Sequence, residues 1–134
     1  SNLMRSHILS AFSTLAIGME ILVDEENIQI DKILGHGGIF KTPKVGQNLL
    51  AAAINSPVSV METAGEGGAW GIALLADYMT HTERSLADYL EEVVFADADV
   101  ATIEPDAADV EGFKAFLEKY KKGLAVERAA VETI

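Results

Sequence analysis

Two glycine-rich segments contain the residues whose types and spacing best suit ligand binding. Gly35-His36-Gly37-Gly38 follows one apolar run, and Gly65-Glu66-Gly67-Gly68 follows another. Glycines let a backbone approach a ligand closely, and open α/β sheets bind ligands at the carboxyl ends of their strands. Lys41 and Lys44 follow the first segment, and their charge near a helix amino terminus favours an anion such as a phosphate.

Neither glycine segment matches a complete nucleotide-binding motif. The first lacks the third glycine of a dinucleotide fingerprint and the Gly-Lys-Ser/Thr of a P-loop. A tight turn that requires positive φ explains it equally well. Two glycine turns after consecutive parallel strands would lie side by side, however, and this favours one shared ligand crevice over two unrelated turns.

Other common chemistries find no support in the residue types. The chain has no cysteine, so a disulfide, a thiolate metal site and a cysteine nucleophile are excluded. His7, His36 and His81 lie far apart, and no serine sits in a nucleophile elbow. We therefore expect no catalytic residue and no metal site in this chain.

Composition limits the class of protein and its partners. The chain has 134 residues, of which 49% are hydrophobic and 23% charged, as expected for one globular domain. A net charge of −11 repels phosphate backbones and anionic lipids, which predicts no nucleic-acid and no membrane partner. No segment reaches the roughly 18 uninterrupted apolar residues of a membrane span. The absence of cysteine favours a cytoplasmic location.

The elements that must position the glycine turns alternate between helix and strand. Apolar spacing predicts the helix 3–23, the strand 28–34, a helix from Thr42 to Ile54, the short strand 58–61 and a helix over about 66–79. The second helix would start with Thr42 as its cap and Pro43 at its first position. The third would start with a capping box from Thr63 to Glu66, and its Trp70 is expected to lie in the core. The order α-β-α-β-α is the connectivity of a parallel α/β sheet.

The last third of the chain is strongly acidic. Ten acids and one base, Arg84, lie between His81 and Glu111. Apolar spacing predicts a short helix within 86–95, a loop over 97–109 and an amphipathic helix from Val110 that ends near Gly123. Only two strand candidates appear in the whole chain. A two-stranded parallel sheet cannot cover its own edges and faces, so the sheet looks incomplete.

At the two glycine turns the sequence resembles the late ATP-binding segment of the FGGY carbohydrate kinases, most closely the pentulose kinases of the ribulokinase and xylulokinase group. The family pattern is a glycine turn after a strand, a helix with a Gln, a Pro-Val strand and a Glu-x-x-Ala-x-Gly-Ala-Ala helix. Matching positions are Gly37, Gly38, Gln47, Pro57, Val58, Glu66, Ala69, Gly71 and Ala73. Glu104-Pro105 and the amphipathic helix with Tyr120 resemble the family's closing segment. Ile39-Phe40-Lys41 and Gly67-Gly68 with Trp70 depart from the usual residues.

The resemblance implies a fold and an activity. The fold would be α/β, a partial ribonuclease-H-like lobe of the actin-like ATPase type. Residues 1–82 would form a partial lobe with adenosine-binding glycine turns, and residues 83–134 the acidic segment and last helix of the same domain. Family members transfer the γ-phosphoryl of ATP, with Mg²⁺, to a sugar hydroxyl, with an Asp as base. The residues expected to contact the nucleotide are Gly35, Gly37, Gly38, Phe40, Lys44, Gln47 and Gly67.

The family's phosphate-binding Asp-x-Gly turn, sugar pocket and catalytic Asp precede the region of resemblance and do not occur here. We therefore interpret the chain as the carboxy-terminal part of a kinase, with the rest of the kinase chain as partner and the sugar as substrate of the intact enzyme. Alone it is expected to be inactive and to bind no cofactor tightly. An alternative is a self-standing interaction or oligomerisation module, and in either case the unpaired sheet edge favours a homodimer. A third hypothesis is a small Rossmann-like binder of NAD.

Overall fold

A computed structural model describes residues 2–30 and 33–133, which form a small three-stranded sheet with helices packed against it. The strands are β1 (Ile33–Gly35), β2 (Val58–Met61) and β3 (Val100–Ile103), in the order β1-β2-β3. β1 runs parallel to β2, and β3 runs antiparallel to it. The side chains of Ser59 and Thr102, which are register partners, share a 2.8 Å hydrogen bond between β2 and β3.

The helices alternate with the strands up to β2, and helices also flank β3. They are α1 (Asn2–Glu20), α2 (Val45–Ile54), α3 (Gly67–Tyr78), α4 (Leu86–Tyr89) and α5 (Ala107–Glu132). One π-helical turn, Ile21–Glu25, continues α1, and another, Leu90–Val94, continues α4. Asp106 caps α5, since its Oδ1 accepts hydrogen bonds from the backbone N–H groups of Ala108 and Asp109.

The core lies where α2 packs against β2, α1 and α5. Its buried residues are Phe12, Ala16, Leu50, Ala51, Val58, Phe113 and Leu117. The core residues of α1 and those of α5 lie four positions apart, so each of these helices presents one apolar stripe to the core. Leu50 and Ala51 are adjacent in α2, and Val58 comes from β2. The sequence-derived α/β order is confirmed. Within the predicted helix 3–23, the apolar residues Met4, Leu15 and Leu22 are exposed.

The loop predicted over 97–109 is wrong, because this segment contains β3. Val100, Thr102 and Ile103 are β-branched residues suited to a strand, but acidic residues surround them in the sequence. The strand forms by pairing with β2, a contact between distant parts of the chain. Of the strand predicted over 28–34, only its end is observed in β1, since residues 28–30 are irregular and Asp31 and Lys32 lie outside the described residues.

Two predicted helix ends and one predicted helix cap are wrong. α2 begins at Val45 after Lys44, whose φ is 67°, and not at Thr42-Pro43. α3 begins at Gly67, close to its predicted start, but its N-cap is Glu66, after a 3₁₀ turn over Glu62–Glu66, and not Thr63. α5 continues through Gly123 to Glu132. A glycine inside a helix is tolerated when neighbouring residues favour the helix.

α3 is the helix least covered by the rest of the chain. None of its residues is buried, and the predicted core residue Trp70 is half-buried, with its ring 5.6 Å from that of Phe95. Ile72 and Leu75 are 73% and 54% exposed, and Met79, which follows the helix, is 76% exposed. An apolar surface of this kind commonly marks a contact site.

The amino-terminal helical segment Asn2–Glu25 is long and apolar enough to cross a membrane by length and composition, with a mean hydropathy of 1.5 over its most apolar window. The absence of 18 uninterrupted apolar residues does not exclude a membrane span here, because length and mean hydropathy allow some polar residues within a span. Phe12, Ser13 and Ala16 of this segment are buried within the chain, and a core helix of a globular protein passes the same test. The absence of a membrane partner stays a prediction.

Candidate functional site

The two glycine turns lie side by side, as the sequence predicts. The backbone N–H of Gly37 donates a 2.7 Å hydrogen bond to the carbonyl oxygen of Ala64, which joins the turn after β1 to the turn after β2. A Cβ atom on Gly67 would lie 3.1 Å from Nδ1 of His36, so the start of α3 also packs closely on the first turn. Both turns follow the carboxyl ends of the parallel strands β1 and β2.

The glycines of the first turn serve different purposes. Gly37 has a φ of 107°, a conformation that favours glycine. Gly35 makes room for a ring, because a Cβ there would lie 2.6 Å from Cζ of Phe40. Gly38 is neither strained nor crowded, since a Cβ would meet nothing within 4 Å. Positive φ and close packing thus account for Gly37 and Gly35 without a ligand.

A cavity of about 740 Å³ opens beside the two turns, next to the segment that follows the first of them. Its lining residues are Phe40, Lys41, Thr42, Pro43, Lys44, Gln47, Val60, Met61, Glu62, Ala64, Gly65, Glu66, Asp99 and Ala101. Of the seven predicted nucleotide contacts, Phe40, Lys44 and Gln47 line this cavity. The remaining four, Gly35, Gly37, Gly38 and Gly67, lie in the adjoining turns and are not part of the lining.

Gln47 is the most deeply buried polar group of the cavity wall, with 5% of its surface exposed. Its Nε2 donates to the carbonyl oxygens of Val58, at 2.7 Å, and Ala101, at 2.8 Å. Two carbonyl acceptors fix which end of the amide carries the hydrogens. Because both donors are used within the chain, the acceptor Oε1 is the atom of this amide that remains for a ligand.

An ion pair connects the two turns at the cavity. Nζ of Lys41 lies 2.5 Å from Oε1 of Glu66, and both side chains are largely exposed. The hydrogen bond from Lys41, together with its positive charge, lowers the pKa of Glu66 below its ordinary value. The aliphatic part of Lys41 lies over Gly65, where a Cβ would be 3.1 Å from its Cγ.

Sequence reasoning did not include Asp99 and Ala101 in the site. Both come from the β3 region, which the sequence presents as an acidic loop. No local motif indicates them, since they reach the cavity through the pairing of β3 with β2. Glu66 was noted in the sequence because it matches the family pattern at the start of the glycine-rich helix. Its pairing with Lys41 could not be predicted, because the two residues are distant in sequence.

A separate cluster of titratable residues joins α3 to α4. The hydroxyl of the buried Tyr89 donates a 2.5 Å hydrogen bond to Oδ2 of Asp77. This bond, with burial and the carboxylate charge, raises the pKa of Tyr89 above 10.0. The rings of Tyr78 and His81 both lie 5.4 Å from that of Tyr89. These contacts join the end of α3 and the residues after it to α4.

The described residues also bear on metal binding. Within 2–30 and 33–133, no group of three or more His, Cys, Asp or Glu side chains could hold a metal ion. The carboxylates at the cavity, Glu62, Glu66 and Asp99, do not form such a group.

Comparison with known proteins yields one match. Residues 1–80 match the model of the C-terminal domain of the FGGY family of carbohydrate kinases. The matched region contains α1, β1, α2, β2 and α3, with both glycine turns. Neither the curated proteins nor the solved structures contain a match to this chain.

Proposed function

This chain belongs to the FGGY family of carbohydrate kinases, and from that premise we propose that it is the C-terminal nucleotide-binding part of an ATP-dependent pentulose kinase. The intact enzyme, with the rest of the kinase chain as partner, would transfer the γ-phosphoryl of ATP to a sugar hydroxyl. One observation carries the proposal: the cavity of about 740 Å³ adjoins two joined glycine turns at the carboxyl ends of parallel strands.

The chemistry of the cavity suits the adenosine part of ATP. Its volume lies within the usual range for small-molecule sites, about 300–1,000 Å³. Phe40, Val60 and Ala101 offer apolar surface for a base, and Oε1 of Gln47 offers an acceptor to the 6-amino group of adenine. Lys44 supplies positive charge for a phosphate. We assign the Mg²⁺ that the family uses to no described residue, since no group of them fits a metal ion.

Nucleoside binding is the direct test. We expect adenosine to shift the amide NMR signals of Phe40 and Ala101 and the side-chain amide of Gln47 in a saturable titration. Ala101→Ile should weaken this binding, because the larger side chain occupies the cavity. Ala125→Ile, on the exposed part of α5, is the matched control and should bind as the parent does. Saturable shifts confined to other regions would contradict the proposal.

We also propose that the chain alone is inactive, since no catalytic base is assigned to it. Mixing it with ATP, Mg²⁺ and a panel of pentuloses should release no ADP above the blank. Robust turnover would contradict this part of the proposal and would require a base within these 134 residues.

A second candidate function, an interaction or oligomerisation module, is favoured by α3. Ile72, Leu75 and Met79 are more than half exposed, and β1 is an edge strand of the sheet. Either surface would suit a homodimer. Light scattering distinguishes the outcomes: a dimer that Ile72→Asp dissociates supports this candidate, whereas a monomer with one cooperative melting transition contradicts it.

A further inference from the structure

The ion pair between Lys41 and Glu66 bridges the two sides of the nucleotide cavity. Lys41 directly follows the 3₁₀ turn Gly38–Phe40, and Glu66 ends the turn after β2. Among the described residues, no other ion pair joins these two turns. Both residues line the cavity, so a ligand that enters it meets this pair.

The position of Lys41 does not depend on Glu66 alone. Its stem lies across Gly65, where a Cβ would be 3.1 Å from Cγ and 3.2 Å from Cε of the lysine. The ammonium therefore remains at the cavity when its carboxylate partner moves away. The carboxylate of Glu66 is 74% exposed, and an ion pair at such a site contributes little stability. A stronger anion can displace it at small cost.

The cavity lining carries charges of both signs. Lys41 and Lys44 face three carboxylates there, those of Glu62, Glu66 and Asp99. While Lys41 is paired with Glu66, its ammonium is not available to a phosphate group, and Lys44 is the other cation in the lining. A phosphate that replaces Glu66 at Lys41 gains a charge-assisted hydrogen bond and releases the carboxylate to water.

From this geometry we infer that Lys41 contacts a phosphate of the bound nucleotide and that Glu66 competes with that phosphate for the ammonium. Glu66 thus lowers the affinity for phosphorylated ligands without affecting the nucleoside itself. The inference rests on the proposed function and extends it by naming a residue that distinguishes nucleotide from nucleoside.

Titrations with adenosine and AMP, followed by NMR, test the inference on three variants of the whole chain. Glu66→Gln should raise the ratio of AMP affinity to adenosine affinity about threefold, the scale of an exposed ion pair. Lys41→Met should lower the same ratio by a similar factor. Glu111→Gln is the matched control, because Glu111 pairs with Lys114 at 2.8 Å with similar exposure on α5, away from the cavity.

The outcomes separate the two proposals. If adenosine does not bind, the proposed function fails and the inference fails with it. If adenosine binds but AMP affinity is the same in the parent, Glu66→Gln and Lys41→Met chains, the inference alone is overturned. Equal strengthening of adenosine and AMP by Glu66→Gln would also overturn it, since that result assigns Glu66 a steric effect. The Lys41→Met titration stands independently if Glu66→Gln does not fold.

Discussion

The backbone N–H of Gly37 donates a 2.7 Å hydrogen bond to the carbonyl oxygen of Ala64, and this bond makes the two glycine turns one unit. Gly37 adopts φ 107° and ψ 176° to direct its N–H at the neighbouring turn. This backbone conformation is strongly unfavourable for any residue that has a Cβ atom. The way the two turns are joined therefore depends on glycine at this position.

Replacing Gly37 by alanine should destabilise the chain by about 1–3 kcal/mol, because the strained backbone must be kept or the bond to Ala64 lost. Gly38→Ala is the matched control, since a Cβ there meets nothing within 4 Å and no positive φ is required. It should be neutral or stabilising by about 0.4–1 kcal/mol. Urea unfolding of both variants measures the difference, and equal stabilities would show that the turn tolerates a Cβ at Gly37.

Gln47→Met should lower the free energy of unfolding by about 2–4 kcal/mol, since it removes two hydrogen bonds and leaves the carbonyls of Val58 and Ala101 without their donor. Methionine keeps the length of the side chain, so packing changes little. Gln29→Met, at an exposed position, is the control and should change stability by less than about 0.5 kcal/mol. A similar stability for both variants in urea would show that the Gln47 bonds contribute little.

Gly123→Ala should stabilise the chain by about 0.5–1 kcal/mol, because the glycine lies inside α5 and a Cβ would meet nothing within 4 Å. The sequence alone predicts the opposite sign, since a glycine that ends a helix in a left-handed conformation loses stability on substitution. Thermal unfolding of Gly123→Ala decides between stabilisation, expected from the structure, and destabilisation, expected from the sequence. A lower melting temperature would place the end of α5 near residue 123.

The Tyr89–Asp77 bond predicts a stability change in alkaline solution. Because the pKa of Tyr89 is raised above 10.0 in the folded chain, its stabilising contribution is complete below pH 10 and is lost as pH rises through the folded pKa. Tyr89→Phe should remove this loss between neutral and alkaline pH. Tyr120→Phe, which removes a hydroxyl bonded to Thr14, should retain it. The urea midpoint of each variant is measured at neutral and at alkaline pH. An equal loss of stability at alkaline pH in Tyr89→Phe and Tyr120→Phe would contradict the prediction.

Local sequence was sufficient for several features of this fold. Apolar spacing predicted α1, β2, α2 and the α/β order, because each buried face repeats within one element. The glycine turns were predicted from the chemistry of glycine after a strand, and their adjacency follows from parallel strands that end at one sheet edge. Helix ends were less certain: Thr42-Pro43 has the residues of a helix start, yet the chain turns first through Lys44 at φ 67°.

The sequence by itself determined the α/β class, the two glycine turns and the resemblance to a carbohydrate kinase, since these depend on residue type and short spacing. Only the tertiary structure decided that β3 joins the sheet, that Gln47 bonds to Ala101 across 54 positions, and that Lys41 meets Glu66 over a cavity. The physical reason is that a strand pairing or an ion pair between distant residues depends on how the chain folds back. No pattern within either segment specifies its partner.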